Sequence, residues 1–344
     1  TPLYSSAASD VYKRQSITFA KVDNSALITL AGDFNLKNPL ILQSPISMGT
    51  ITGNGNINGT NNASVTLNAN QNITTGDILT QGQPVKITTS NGQIQTGNIN
   101  TSSTTGNGGN ITLDAYNNIN TKDINSSAIN GIGGEVTIKV TPRNISVEQL
   151  TAEILANGLV TTGNINSSGI NGGDITVEPF SSLRTGKINS SATFGQAGNI
   201  SLGLSNQNIQ VGSINAESNR GQGGNVTIES LVYFIANSNF PSFSGINTSL
   251  STLGLTKSGT FELTHGASIL KVGQVPLPLD LQGNPAGSGT VDTIIVQGNQ
   301  LSNINIPGNY KNGGIDIISK EPPPNVHKNN FVTINPILSV DTSE

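Results

Sequence analysis

A short apolar–polar–apolar motif returns seven times in this chain, and no other feature constrains its fold as strongly. The copies read Val65-Thr66-Leu67, Val85-Lys86-Ile87, Ile111-Thr112-Leu113, Val136-Thr137-Ile138, Ile175-Thr176-Val177, Ile200-Ser201-Leu202 and Val226-Thr227-Ile228. They start 20, 26, 25, 39, 25 and 26 residues apart. A second rhythm follows each strand, with two aliphatic residues five positions apart: Ile73 and Ile78, Ile94 and Ile99, Ile119 and Ile124, Val160 and Ile165, Leu183 and Ile188, Ile209 and Ile214. In three of the six pairs the second aliphatic sits in Thr-Gly-x-Ile-Asn-Ser/Thr, and the other three depart from it at one or two positions.

Alternation with a period of two places Ile, Val and Leu on one face of a strand and the intervening Thr, Ser or Lys on the other. The few aliphatics of one copy cannot offset the entropy of ordering a whole copy. Stacked copies share their burial and pair their strand edges, which is the logic of a solenoid. Short strands at this spacing, without regular helices, predict an all-β, parallel β-helix of about 20–26 residues per turn. Parallel crossovers favour the right hand.

Two columns should run along such a stack. Asn100, Asn125, Asn166, Asn189 and Asn215 follow the repeated aliphatic, with Leu79 departing, and stacked amides can hydrogen-bond as a ladder. Gly108-Gly109, Gly133-Gly134, Gly172-Gly173 and Gly223-Gly224 precede the strand, with Ala197-Gly198 as a variant. These glycines are expected to adopt positive φ at a corner. Both columns read as structural.

Residues 1–15 share neither the composition nor the rhythm of the rest and are expected to be extraneous or disordered. The β-helix is expected over 16–319, with clear repeats at 64–230 and degenerate turns on both sides. The 39-residue gap holds an insertion near 141–158. There Ser146 and Gln149 form a capping box, and Val147, Leu150 and Ile154 keep helical spacing up to Asn157-Gly158, so a short helix or one irregular extra turn is expected. Pro276, Pro278 and Pro285 mark irregular loops, short strands resume over 292–319, and 320–344 is a proline-rich linker and tail.

Composition narrows the chemistry. Charged residues make up 10% of the chain and the net charge is −4, so no basic field exists to attract nucleic acid. The chain has no Cys, which excludes thiolate metal sites and disulfides, and its two histidines, His265 and His327, lie far apart without a partner worth naming. No run of 18 apolar residues occurs. Asn and Gly dominate instead, at 46 and 40 residues.

β-Helices can carry paired carboxylates for glycoside cleavage, and stacking brings Asp174 and Glu178 toward Glu153, Asp123 or Glu135, and Glu229 toward Glu178. A solvated face is the ordinary reading of these acids, and no catalytic residue is nominated. Calcium would need a Gly-Gly-x-Gly-x-Asp cadence that is missing, so neither metal nor cofactor is expected. The outward column Thr66, Thr112, Thr137, Thr176, Thr227 and Ser201 has the look of an ice-binding face, but Lys86 breaks it and Asp114, Glu178 and Glu229 flank it with charge. β-Propensity accounts for those threonines.

The cadence of Thr161 to Ser168 and of Gly108 to Leu113 resembles the repeat region of filamentous-haemagglutinin-type exoproteins, particularly the cyanobacterial ones, over about 50–320. The tail Val340 to Glu344 resembles the segment that leads on to a caspase-like CHAT domain in such chains. The resemblance implies a non-catalytic, secreted or cell-surface adhesin or stalk, exported by two-partner secretion through an outer-membrane pore. Glycans or extracellular matrix would be its partners. The Asn-Pro-Asn-Gly signal of that family's secretion domain is not matched by Asn38-Pro39-Leu40, so export rests on the resemblance. Two rivals remain: a β-helical polysaccharide-degrading enzyme and a phage tailspike-like trimer.

Overall fold

The computed structural model describes residues 17–20, 27–30, 32–36, 38–44, 49–59, 63–141, 158–266, 269–272, 289–291, 294–296, 299–302, 304–307 and 309–320. All regular structure among them is β. Each turn of chain contributes one strand to each of three long sheets. Ile111–Ala115, Ile119–Asn120 and Ile124–Asn125 form one such turn. The repeated motif stacks in strict register in the first sheet, where Val65 pairs with Val85, Val85 with Ile111, Ile111 with Val136 and Val136 with Ile175. The same sheet takes in Ile17–Ala20 and Leu40–Ser44 before the clear repeats, and Phe261–His265 and Ile315–Ser319 after them, all parallel. The chain is a parallel β-helix.

The alternation inferred from sequence is the burial pattern observed. In Ile111–Ala115 and Val136–Val140 the first, third and fifth residues are buried and the others are half-buried. Inside the coil the aliphatics form columns, such as Ile57, Ile78, Ile99, Ile124, Ile165, Ile188 and Ile214, that merge into one continuous core. Each fully buried aliphatic is worth roughly 1.5–3 kcal/mol relative to exposure.

The glycine pairs correct the expectation of positive φ. Among the described residues the glycines with positive φ are Gly53, Gly82, Gly158, Gly245 and the adjacent Gly313 and Gly314, and none belongs to the four repeat pairs. The pairs are required by contact instead. A Cβ on Gly108, Gly133, Gly172 or Gly223 would stand 1.8–1.9 Å from the carbonyl oxygen of Ser126, Ser167, Ser190 or Thr252. The second glycine of each pair meets the backbone of the preceding turn just as closely; Gly134 faces the Gly109 oxygen at 2.3 Å. These corners are the places where successive backbones lie too close for any side chain.

The register of the coil is kept across two longer connections. The first lies between Val136–Val140 and Val160–Thr161, and Ile119 still pairs with Val160 across it. The helical reading of this insertion falls on 142–157, outside the described residues. The second separates Phe234–Ala236 from Leu250–Ser251 and carries a small antiparallel ribbon, Phe240–Pro241 with Asn247–Thr248, yet Ile214 still pairs with Leu250. At the C-terminal end each sheet finishes on an antiparallel strand: Tyr310–Asn312, Ile304–Pro307 and Asn299–Leu301. The parallel run of each long sheet therefore ends on a short reversed strand, and short edge strands offer little to pair with.

The last turns also bury His265, which is fully enclosed on the inner face beside Ser230 and Ser319, with neither ring nitrogen hydrogen-bonded among the described residues. Burial pushes its imidazole down to about 4.

Two outcomes follow from this packing. Gly133→Ala should lower the unfolding free energy by about 1–3 kcal/mol or more, because backbone must move. Gly106→Ala, whose Cβ would meet nothing nearer than 3.7 Å, should stay within about 0.5 kcal/mol of wild type in the same denaturant titration. For His265 the folded pKa lies below the unfolded value near 6.5, so the unfolded chain takes up the proton first. Stability is whole above that value and is lost as pH falls through it, by about 3 kcal/mol at pH 4. The stability of wild type should therefore fall relative to His265→Leu between pH 7 and 4; a difference that stays flat would mean that the imidazole is solvated or paired.

Candidate functional surface

Most polar side chains of the coil are engaged with the next turn. Where the chain bends between the second and third sheets, the residue just before the third-sheet aliphatic accepts a hydrogen bond on its side-chain oxygen from the backbone N–H of its counterpart one turn on. The series runs Asp77 N–H to Asn56 Oδ1 (2.8 Å), Asn98 to Asp77 (2.7 Å), Asp123 to Asn98 (3.2 Å), Asn164 to Asp123 (2.7 Å) and Lys187 to Asn164 (2.8 Å). The backbone oxygen of that same residue takes the N–H of the aliphatic below it, as Ile78 N–H to Asn98 O at 2.8 Å. Each link is thus reciprocal. The preceding glycine makes room for it, since a Cβ on Gly97 or Gly163 would lie 2.0–2.1 Å from Asp77 or Asp123 Oδ1.

The other bends repeat the device. Before the first-sheet strand, Asn110 accepts from Glu135 N–H (3.0 Å), Asp174 from Asn199 (2.7 Å), Asn199 from Asn225 (3.0 Å) and Asn225 from Thr260 (2.9 Å). Between the first and second sheets Asn72, Asn118 and Asn208 serve Gln93, Leu159 and Tyr233. These columns escaped the sequence reading because Asp, Asn, Glu, Lys and Thr alternate in them. The signal was the constant offset of one residue before each aliphatic.

The anticipated amide column is present on the outer face of the third sheet. Asn166 Nδ2 donates to Asn125 Oδ1 (3.3 Å) and Asn189 Nδ2 to Asn166 Oδ1 (3.0 Å). All five members do a second job: Oδ1 of Asn100, Asn125, Asn166, Asn189 and Asn215 accepts the N–H two residues on, at 3.0–3.3 Å. All five therefore tighten their own turn, and the amide links between turns join Asn125, Asn166 and Asn189.

The acids weighed as a catalytic cluster are dispersed into these contacts. Asp123 and Asp174 hold backbone N–H groups, and Glu178 Oε2 pairs with Lys139 Nζ at 2.8 Å. That contact, with Asp114 nearby, holds the Lys139 ammonium above its usual range. Glu229 lies opposite Thr264 in the register, and Glu153 is outside the described residues. Thr66, Thr112, Thr137, Thr176, Ser201 and Thr227 do share one register column, interrupted by Lys86 and continued by Glu262 and Asp316. Among the described residues no three His, Asp or Glu side chains gather as a metal site would require. His327 is outside them.

One buried acid was not anticipated. Glu217 takes the place of Ser127, Ser168 and Ser191 in the repeat and is 4% exposed. Its carboxylate accepts from the hydroxyls of Ser242 and Ser251 and from Phe243 N–H (3.1 Å), pinning the second insertion to the coil. The departure from Asn-Ser-Ser to Asn-Ala-Glu, just before the longer turn, was its trace in the sequence.

The comparisons with known proteins add nothing to this geometry: no family model, no curated protein and no solved structure matches the chain.

The reciprocal bend predicts a discriminating pair of variants. Asp123→Asn keeps the accepting oxygen and should leave stability nearly unchanged, whereas Asp123→Ala strands Asn164 N–H and should cost about 1 kcal/mol or more by denaturant titration.

Proposed function

We propose that this chain is a non-catalytic shaft of a secreted or cell-surface exoprotein of the filamentous-haemagglutinin type, acting as an adhesin or as a stalk that presents another domain. The observation that carries the reading is the unbroken run of eleven parallel strands in the first sheet. At about 4.8 Å per step it spans roughly 48 Å of stiff support. Its polar groups are spent on the stack. The acids that a polysaccharide-cleaving site would need instead hold backbone N–H groups at Asp77, Asp123 and Asp174, pair with Lys139 at Glu178, and pin a loop at Glu217. Export through an outer-membrane pore suits a solenoid, because each turn can dock on the one before as it emerges. Contacts with glycans or matrix on such a shaft would be weak singly and strong by repetition.

The purified chain should sediment as an elongated monomer and bind surface polysaccharide without releasing new reducing ends. A stable trimer would overturn the reading in favour of a tailspike, and depolymerisation in favour of an enzyme. The genomic reading frame gives an independent check: an upstream secretion domain with an Asn-Pro-Asn-Gly signal supports export, and a complete frame lacking one defeats it.

A further inference from the structure

The bend between the third and first sheets carries an exposed apolar edge. Ile129 and Ile132, then Phe194, then Leu255 stand on it in nearby turns; Ile129, Phe194 and Leu255 are 68%, 54% and 67% exposed. Their turns are tied in line by parallel bridges, Gly169 to Ala192, Ala192 to Ser218 and Ser218 to Gly254. The ionisable residues of this edge, over 104–107, 129–132, 170–171, 193–196, 219–222 and 255–258, are Arg220 and Lys257, both cations in a chain with more acids than bases. Arg220 lies over the Phe194 ring, 4.6 Å from its centroid. The ion pairs among the described residues are Lys139 with Glu178 and Lys311 with Asp316, so Arg220 has no carboxylate partner there. The nearby acids lie beyond the glycine pairs or beneath the surface: Asp174 holds Asn199 N–H, Glu135 accepts from Thr137, and Glu217 is buried.

We infer that this edge is a binding site for an acidic polysaccharide, with Arg220, seated over the Phe194 ring, receiving a uronate carboxylate. The inference deepens the adhesin reading and rests on it. A guanidinium stacked on a ring keeps its N–H edges directed outward, already ordered for two parallel hydrogen bonds to an oxoanion. Lys257, one turn further along, offers a second charge for a polymer laid along the shaft. The aliphatic side chains and the free edge of Phe194 suit the C–H faces of pyranose rings, and the exposed amides of Asn130, Gln196, Asn219 and Gln222 suit their hydroxyls. A peptide adding as a β-strand is disfavoured, because the backbone along this edge is already bridged from turn to turn. A bilayer would require a broad apolar face, whereas the edge is one or two side chains wide.

The test uses the whole chain with sodium polygalacturonate, dextran and vesicles containing an anionic phospholipid. Binding to polygalacturonate that weakens with salt, falls about tenfold in Arg220→Ala and falls again when Lys257→Ala is added supports the site. Phe194→Ala should weaken it comparably and Phe194→Trp should restore it, while Arg220→Lys, which keeps the charge but not the fork, should fall between. All five substitutions replace exposed side chains at three positions, so unchanged circular dichroism and melting are expected. Polygalacturonate binding indifferent to Arg220→Ala, or binding to vesicles alone, overturns the inference. Equal binding to dextran overturns it too but leaves the adhesin reading standing; failure to bind any glycan or cell surface defeats both.

Discussion

Every feature of this molecule depends on the distance between one turn of backbone and the next. Parallel strands in a sheet lie about 4.8 Å apart, and here that spacing must hold at the bends as well as in the strands. In the strands it is maintained by the usual ladder. At the bends backbone bonds between turns continue, as from Gly97 N–H to Gly76 O at 3.1 Å, and side-chain oxygens aimed at the next turn supplement them, as from Asp123 to Asn164 N–H. Where even that leaves no room, both positions are glycine, and a Cβ on Gly133 would stand 1.9 Å from the Ser167 carbonyl oxygen. The aliphatic columns then follow. Ile99, Ile124 and Ile165 stack because the bends on either side have already fixed their register.

The Thr-Gly-Asx sequence is a single device. The acid or amide reaches up to the next turn, the glycine of that turn clears its path, and the threonine before the glycine is buried, turning its hydroxyl onto the glycine carbonyl, as Thr96 does to Gly97 O at 3.0 Å. One residue type could not perform all three tasks. This explains how a chain with so few charges holds together: charge-assisted and neutral hydrogen bonds at the bends replace the surface ion pairs that an ordinary domain scatters for little gain. Asp can alternate with Asn in the column because the backbone N–H of the next turn needs only one side-chain oxygen.

The architecture was legible because its unit is short and written many times. Seven copies of the strand motif define period, face and register without reference to tertiary contacts. What stayed hidden was of three kinds. The glycine pairs were recognisable, but the choice between a left-handed backbone and a crowded one turns on what the neighbouring turn does, and residue identity is silent on that. The antiparallel strands that end each sheet were invisible because Ile304–Pro307 and Tyr310–Asn312 carry the same composition whichever way they run. Glu217 and His265 were missed as buried groups because each occurs once, and a reading built on repetition discounts single departures.

Those single departures are where this chain ceases to be generic. The interior columns are almost entirely apolar and the bends are dominated by Gly and Asx, so neither distinguishes one β-helix from another. Only residues that the stack does not consume are free to differ from turn to turn. At the bend between the third and first sheets the sequence runs Thr-Thr-Gly-Asn, Ile-Asn-Gly-Ile, Thr-Phe-Gly-Gln and Asn-Arg-Gly-Gln in four of the turns. Beyond the first of these turns the glycine persists because its neighbour leaves no room: a Cβ on Gly131 or Gly221 would strike the glycine carbonyl of the turn before, at 2.4 or 2.1 Å, whereas one on Gly106 would meet nothing nearer than 3.7 Å. The positions beside it vary freely. A solenoid therefore separates its two tasks within each turn, and a search for what such a protein recognises should begin at the variable positions beside a glycine that cannot change.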